Sequence, residues 1–348
     1  MNNNIYLYTP WCEQGLSYDA KAIEQIAIQN NIKSIISFEK TRKIIWPCDF
    51  EKTKNIKNII KKDDIFFCFE RIPVKYIKQI SDITKNIYLM INYEYYERDL
   101  ITYYQLFKKV FCKSKHAFDQ CKNDGLNNLV YMPWILWNFP ISNVKNLNEK
   151  IQIIFNGGTG GYKDRRNLES IINLFKDYQG NDVELTIKLT DTLRRWTQKI
   201  LNKNYSFIKN DDRITLIQQM MDRNEYINFL KNFDINLCPS KYEGFGLTLL
   251  EGLHSRLASI TINQSPMNEI IIHNENGICI QSEIIDKIRN QNIYNIDREQ
   301  FFYQFKKLIN NPKKIILMKE NTINKVKKNE ILFNSFFNNE FNVDNTSV

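Results

Sequence analysis

Two glutamates, Glu243 and Glu251, stand eight positions apart in the stretch CPSKYEGFGLTLLEG at residues 238–252. Gly244-Phe245-Gly246 lie between them, and an apolar run follows. Pro239-Ser240 ends a strand pattern, and a helix is predicted to begin near Leu247. The amides of residues 245–248 then lack intrahelical partners and are ready for a diphosphate. The glycines allow unusual dihedrals and close approach to a ligand. A carboxylate does not favourably face a diphosphate, so Glu243 is expected to point to uncharged hydroxyls. Glu251 shares a helical face with Thr248, three residues earlier, and an acidic residue there suits a ribose diol. The spacing fits one glutamate on a sugar and the other on a nucleoside, with phosphates between. It also fits two acidic partners of a helix dipole.

A second cluster lies in FNGGTGGYKDRRN at 155–167, between a strand pattern and a helix pattern. The dinucleotide fingerprint fails, because counting from Gly158 it would need glycine where Lys163 stands. No glycine immediately precedes Lys163, so this is not a P-loop. What remains is a glycine-rich turn followed by Lys163, Arg165 and Arg166, with Asp164 among them. Three cations at a helix entrance oppose the helix dipole. That cost is understandable if an anionic ligand offsets it; a solvated turn is the bland alternative.

The elements that must position these clusters alternate between strand and helix. NIYLYTP is a strand, GLSYDAKAIEQIAIQNN a helix with Ala22, Ile23, Ile26 and Ala27 on one stripe, and SIISF and DIFFCFE are near-continuous apolar strands. NIYLMINYE and KVFCKSK continue the series, HAFDQCKNDG is a short helix stopped at Gly125, and NLVYMPW is the next strand. Residues 138–150 read as a linker. The alternation then restarts with IQIIFN, NLESIINLFKDYQG, VELTIKL, TLRRWTQKILN, RITLI, NEYINFLKNF and DINLCP. The expectation is an α/β fold of two Rossmann-like parallel-sheet domains, residues 1–140 and 150–325, facing each other across a cleft. Residues 326–348 are expected as a C-terminal helix and tail packing back on the first domain.

A chain of 348 residues favours two domains. Seven scattered cysteines without Cys-x-x-Cys spacing, several in apolar runs, argue against a disulfide framework or a zinc site. No apolar stretch is long enough to span a bilayer. The opening MNNNIYLYTPWCEQG lacks the features of a signal peptide, so a cytoplasmic location is the expectation. The net charge of +9 favours anionic partners: nucleotides, nucleic acid or a membrane surface. The lysine run Lys52, Lys54, Lys57, Lys61 and Lys62 most simply forms one solvated helix face; peripheral membrane contact is the sharper reading.

Glu243 and Glu251, as a Glu-x7-Glu motif within PSKYEGFGLTLLEG, resemble the mark of retaining GT-B glycosyltransferases of the glycogen-synthase-like and sucrose-synthase-like superfamily, glycosyltransferase family four. The resemblance extends to MNEIIIHNENGICI (267–280), to GGTGGYKDRRNLESII and to VFCKSKHAFDQCKNDGLNNLVYMPW. It implies that Glu251 binds the donor ribose and that Glu243 sits near the transferred sugar. The amides of Gly244, Phe245 and Gly246 would meet sugar hydroxyls, and Thr248 and Leu249 the diphosphate. Lys163, with Arg165 or Arg166, would neutralise the departing diphosphate, and Gly15 would belong to a first-domain glycine loop facing donor and acceptor. The chain departs from the family at Arg256 and Ala258, at Ser265-Pro266, and at Asn92, where many members place a histidine. His116, His254 and His273 read as structural.

The implied reaction moves a sugar from a nucleotide-diphosphate sugar to an acceptor hydroxyl of a glycan, a lipid-linked or a protein-linked acceptor, with retention. No cofactor is expected, and no metal, since the chain contains no Asp-x-Asp. Two other classes stay open: a DNA-modifying or nucleic-acid-binding protein of the same fold, and a catalytically silent nucleotide-sugar-binding protein. The basic residues are spread out rather than focused on one element, which weakens the former.

Overall fold

The computed structural model describes residues 3–341. Contacts divide the chain into two compact units, one of residues up to Asn138 with those from Lys328 onward, the other Phe139–Lys327. The expected tail at 342–348 lies outside the described residues.

The first unit runs β1 (Asn4–Tyr8), α1 (Gly15–Gln29), β2 (Lys33–Ser37), β3 (Phe50–Glu51), α2 (Thr53–Ile59), β4 (Ile65–Phe69), α3 (Val74–Ile83), β5 (Ile87–Ile91), α4 (Ile101–Tyr104), β6 (Lys109–Cys112), α5 (Lys115–Asn123) and β7 (Leu129–Tyr131). Its sheet has the order β3-β2-β1-β4-β5-β6-β7, with every pair parallel. β4 and β5 are buried at every position, as the uninterrupted apolar runs require. The lysine-rich stretch becomes the short α2, with Thr53 and Ile56 turned inward.

The second unit runs β8 (Ile151–Gly158), α6 (Leu168–Asp177), β9 (Val183–Leu189), α7 (Arg195–Asn210), β10 (Ile214–Gln218), α8 (Arg223–Leu230), β11 (Ile235–Cys238), α9 (Leu247–His254), β12 (Ala258–Ile262), α10 (Met267–Ile270), β13 (Gly277–Ile280), β14 (Ser282–Ile288), β15 (Gln291–Ile296), α11 (Arg298–Ile309) and α12 (Pro312–Phe341). The parallel sheet has the order β10-β9-β8-β11-β12-β13. This is the doubly-wound arrangement, and its strand order reverses between β8 and β11, where β8 pairs with β11. The loops leaving those two strands are the glycine-rich turn and the Glu243 stretch. β14 and β15 form a separate antiparallel hairpin. Nothing in the sequence pattern announced it, because its turn uses Arg289 at φ 52° instead of a glycine.

The end of α12 counts with the first unit. There Phe337 packs on Phe111 at 5.0 Å between ring centroids, and Phe333 meets Trp134 at the same separation. Glu340 accepts a 2.7 Å hydrogen bond from Tyr88 Oη and pairs with Lys108 at 2.8 Å and with Lys109.

Two buried carboxylates fix the second unit. Asp234, before β11, accepts from the Gln152 amide (3.0 Å) and pairs with Lys319 Nζ of α12 (2.5 Å). Both partners are almost fully buried. Asp164 caps α6, accepting from the amides of Leu168 (3.1 Å) and Glu169 (3.3 Å). Burial pushes its carboxyl up from 3.8 to about 6, against Lys241 and those two amides.

Removing one partner of a buried pair strands the other charge. Lys319→Met should therefore cost about 3–5 kcal/mol in urea unfolding, and Lys319→Met with Asp234→Asn should cost clearly less. A double variant as unstable as the single one would show that packing, not charge, is what Lys319 supplies. A carboxyl whose pKa is raised on folding contributes stability present below 3.8 and lost as pH rises through about 6. Asp164→Asn keeps an acceptor for the cap and cannot ionise, so its melting temperature should fall less across that window than the parent's. Parallel curves would remove the ionisation argument.

Candidate active site

The site is built on the β8/β11 switch point of the second unit. From the last residue of β8 onward the chain needs Gly158, Gly160 and Gly161 at positive φ, and Lys163, Asp164 and Asn167 share that region. At Gly160 a Cβ would fall 1.6 Å from Thr197 Oγ1 of α7, so only glycine fits against that helix. Asn167 Nδ2 donates to the Pro239 carbonyl (3.1 Å) and the Lys241 amide to the Arg165 carbonyl (2.8 Å). These two bonds stitch the turn to the loop after β11.

That stitching aims both arginines at Glu243. Arg165 Nη1 donates to one carboxylate oxygen (2.6 Å) and Arg166 Nη1 to the other (2.5 Å). Arg166 Nη1 also donates to Thr248 Oγ1 in the first turn of α9 (3.1 Å). Glu243 is 3 % exposed. Burial alone would raise its pKa, but the two guanidiniums overcome this and hold the carboxyl below its usual range, so it is ionised at neutral pH.

Glu251 lies one turn further along α9. Its Oε2 accepts from Tyr226 Oη (2.9 Å), and Tyr226 Oη in turn accepts from Asn156 Nδ2 (2.6 Å). With Asn156 supplying the donor to the phenol, the phenolic proton goes to the carboxylate. Burial pushes the Glu251 carboxyl up; the Tyr226 hydroxyl, Arg166 and Arg223 oppose this, while Glu243 adds to it. Lys188, at the end of β9, is nearly buried and donates to the Gln219 carbonyl (3.1 Å). Tyr226, Asn156 and Lys188 escaped the sequence reading, because a tyrosine on an amphipathic helix and a polar residue ending a strand carry no spacing signal.

The structure thus brings Glu243, Arg165, Arg166 and Thr248 together, with Glu251 on the same helix. It does not bring Lys163 to them. Its ammonium pairs with Asp286 of the β14–β15 hairpin, on a partly exposed rim, because the left-handed backbone at Lys163 and Asp164 turns the chain outward before Arg165. Arg165 and Arg166 both reach Glu243, one on each carboxylate oxygen. The Leu168 and Glu169 amides at the start of α6 are taken by the Asp164 carboxylate. The Leu249 amide donates to the Gly246 carbonyl (2.9 Å), and its side chain is fully buried. Of the glycine pair only Gly246 needs positive φ, at 99°, as the residue preceding α9. Gly244 is half-buried and Phe245 buried. Gly15 opens α1 in the first unit.

The hairpin braces this site from outside. Gln291 Nε2 donates to the Glu243 carbonyl (3.3 Å) and the Tyr294 amide to the Lys241 carbonyl (3.0 Å). The histidines stand apart from the acidic cluster. His254 Nδ1 lies 2.7 Å from the Phe139 carbonyl, and burial drives its pKa down to about 4. His273 Nδ1 accepts from the Cys279 amide (3.1 Å), and His116 meets Tyr93 edge-on. In the first unit, Asn92 donates to Glu70 (2.8 Å) across the ends of β5 and β4. No group of three or more potential metal-ligating side chains gathers among the described residues.

Residues 141–299 match the family model described as glycosyl transferases group 1. Among solved structures, a glycosyltransferase from Rickettsia africae shares 12% identity, with a TM-score of 0.74 over 99% of this chain and 100% of that one. The lipopolysaccharide outer core galactosyltransferase WaaB in its apo form shares 12%, with 0.68 over 98% and 99%. HepE from Anabaena, solved in complex with UDP, shares 9%, with 0.66 over 97% and 98%. No curated protein matches the chain. Identities this low speak to the fold alone, and that fold, two α/β units with parallel Rossmann-like sheets, is the GT-B type. The switch-point cluster lies inside the stretch that matches the glycosyl transferases group 1 model.

Proposed function

We propose that the protein is a retaining glycosyltransferase that moves a hexosyl group from a nucleotide-diphosphate sugar to the hydroxyl of a glycan, lipid-linked or protein-linked acceptor, without a metal ion. One observation carries the reading. A buried, ionised Glu243 holds two guanidiniums at the N-terminal turn of α9, with Glu251 eight residues on, inside the stretch that matches the glycosyl transferases group 1 model. The Glu-x7-Glu resemblance supports retention. That HepE was solved with UDP supports a nucleotide donor.

On this reading the diphosphate lies at the start of α9, against the amides of the first turn and Arg165 and Arg166. A guanidinium has five N–H donors in a planar fork, which suits phosphate oxygens. Both arginines are fixed beforehand by Glu243, so they stabilise the charge that grows on the leaving diphosphate without reorganising. Lys163 stands outside this charge cluster. Glu251 takes the ribose: Tyr226 occupies Oε2 and leaves Oε1 for a sugar hydroxyl. The backbone around Gly244 and Phe245 faces the transferred sugar, with the Glu243 carboxylate behind it holding the two arginines. Cytoplasmic location is part of the proposal.

Donor binding is tested by calorimetry with UDP, GDP and ADP. Glu251→Ala should weaken the preferred nucleotide by about 1.5–3 kcal/mol. Tyr226→Phe should do so mainly at acidic pH, because losing its donated hydrogen bond raises the Glu251 pKa. Undiminished affinity in Glu251→Ala would remove the ribose role.

Turnover separates the cations. Arg166→Ala should lower kcat on the order of a hundredfold, as for a lost electrostatic donor, whereas Lys163→Ala should change it little. Activity should survive excess EDTA. A larger loss in Lys163→Ala, or loss with EDTA restored by manganese, would refute this leaving-group chemistry.

A further inference from the structure

Helix α7 carries a pattern that glycosyl transfer does not use. Across Arg195–Asn210 it bears Arg195, Lys199, Lys203 and Lys209 and no acidic residue, with Arg194 as its N-cap. Two arginines at a helix N-terminus oppose the dipole. The helix buries Thr197, Leu201, Asn204 and Ile208. A different face presents Trp196, Lys199, Ile200 and Lys203 at three- and four-residue spacing. With Ile285 and Ile293 of the β14–β15 hairpin, this face lines an open cavity of about 410 Å³. Trp196 is 46% exposed, Ile284 62% and Ile285 53%.

We propose that this face of the second unit docks on the surface of an anionic lipid bilayer. Trp196 and Ile285 enter the interfacial region, and Arg195, Lys199 and Lys203 meet headgroup phosphates. A basic helix whose outward face mixes lysines with a half-exposed tryptophan and isoleucines suits an interface that is charged above and apolar below. The charges on the rim fit. Its two exposed carboxylates, Glu169 and Asp286, already have lysine partners in Lys203 (3.8 Å) and Lys163. Neither Arg195 nor Lys199 has a carboxylate partner among the described residues. A nucleic acid would use these charges too, but would leave Trp196, Ile284 and Ile285 in water. No described helix is long and apolar enough to cross a membrane, so the contact is peripheral. Lys163 lies on the cavity's rim, so docking brings the glycine-rich turn to the bilayer surface.

The test is co-sedimentation of the full chain with vesicles of phosphatidylcholine alone and of phosphatidylcholine mixed with phosphatidylglycerol, with duplex DNA as a competing polyanion. The parent protein should bind the mixed vesicles and leave the neutral ones. Lys199→Glu with Lys203→Glu should lower vesicle affinity on the order of tenfold or more. Trp196→Ser with Ile285→Ser should lower vesicle binding and leave any DNA binding unchanged. All four positions are exposed or partly exposed, and melting curves confirm that each variant is folded. No binding of the parent to mixed vesicles overturns the proposal, as does retention by the lysine variant. Vesicle binding lost only in the lysine variant, with DNA displacing the vesicles, assigns the face to a polyanion and also overturns it.

Discussion

A carboxylate taken out of water must find positive charge and hydrogen-bond donors, or the fold loses several kcal/mol. Glu243 is such a group, and much of the second unit is arranged to satisfy it. Two consecutive arginines reach it from a loop that the sequence separates by 77 positions from its own, in the case of Arg166. They can do so only because β8 and β11 are neighbours in the sheet. The glycines after β8, the left-handed residues behind them and the Asp164 cap together decide where α6 begins, and hence where Arg165 and Arg166 emerge. The electrostatics of the site and the topology of the sheet are thus one constraint seen at two scales.

The alternation of elements was readable because parallel strands buried on both faces leave continuous apolar runs, and the helices between them keep a 3.6-residue stripe. The start of α9 was readable for the same reason: Gly246 precedes an apolar run, and the structure begins the helix at Leu247. What could not be read was decided by tertiary neighbours. Lys163 and Arg166 are three residues apart and equally charged. Only a backbone turned left-handed at Lys163 and Asp164 sends one to the hairpin and the other to the carboxylate. Asp164 looked like a charge interrupting a cationic run; it is the helix cap that makes the run possible. Tyr226 reads as one more large residue on α8 until Asn156 and Glu251 are seen on either side of its hydroxyl.

The β14–β15 hairpin joins two roles that the sequence kept apart. Its inner residues donate to the carbonyls of Glu243 and Lys241 and so hold the loop after β11 in place. Its outer residues, Ile284 and Ile285, are exposed, and Ile285 lines the cavity beside α7. An element that is braced on one side and apolar on the other is better placed to transmit contact than a free loop, because its geometry is already fixed by backbone hydrogen bonds.

The pairing of β8 with β11 also bears on how the site comes into being. Between those strands the chain must complete α6, β9, α7, β10 and α8 before β11 arrives. Closing so long a segment costs entropy that local contacts do not return until the two strands meet. A chain stopped short of that pairing would contain the glycine-rich turn, fully made, with its arginines facing no carboxylate. The charge cluster at the switch point therefore cannot form until β11 has joined β8.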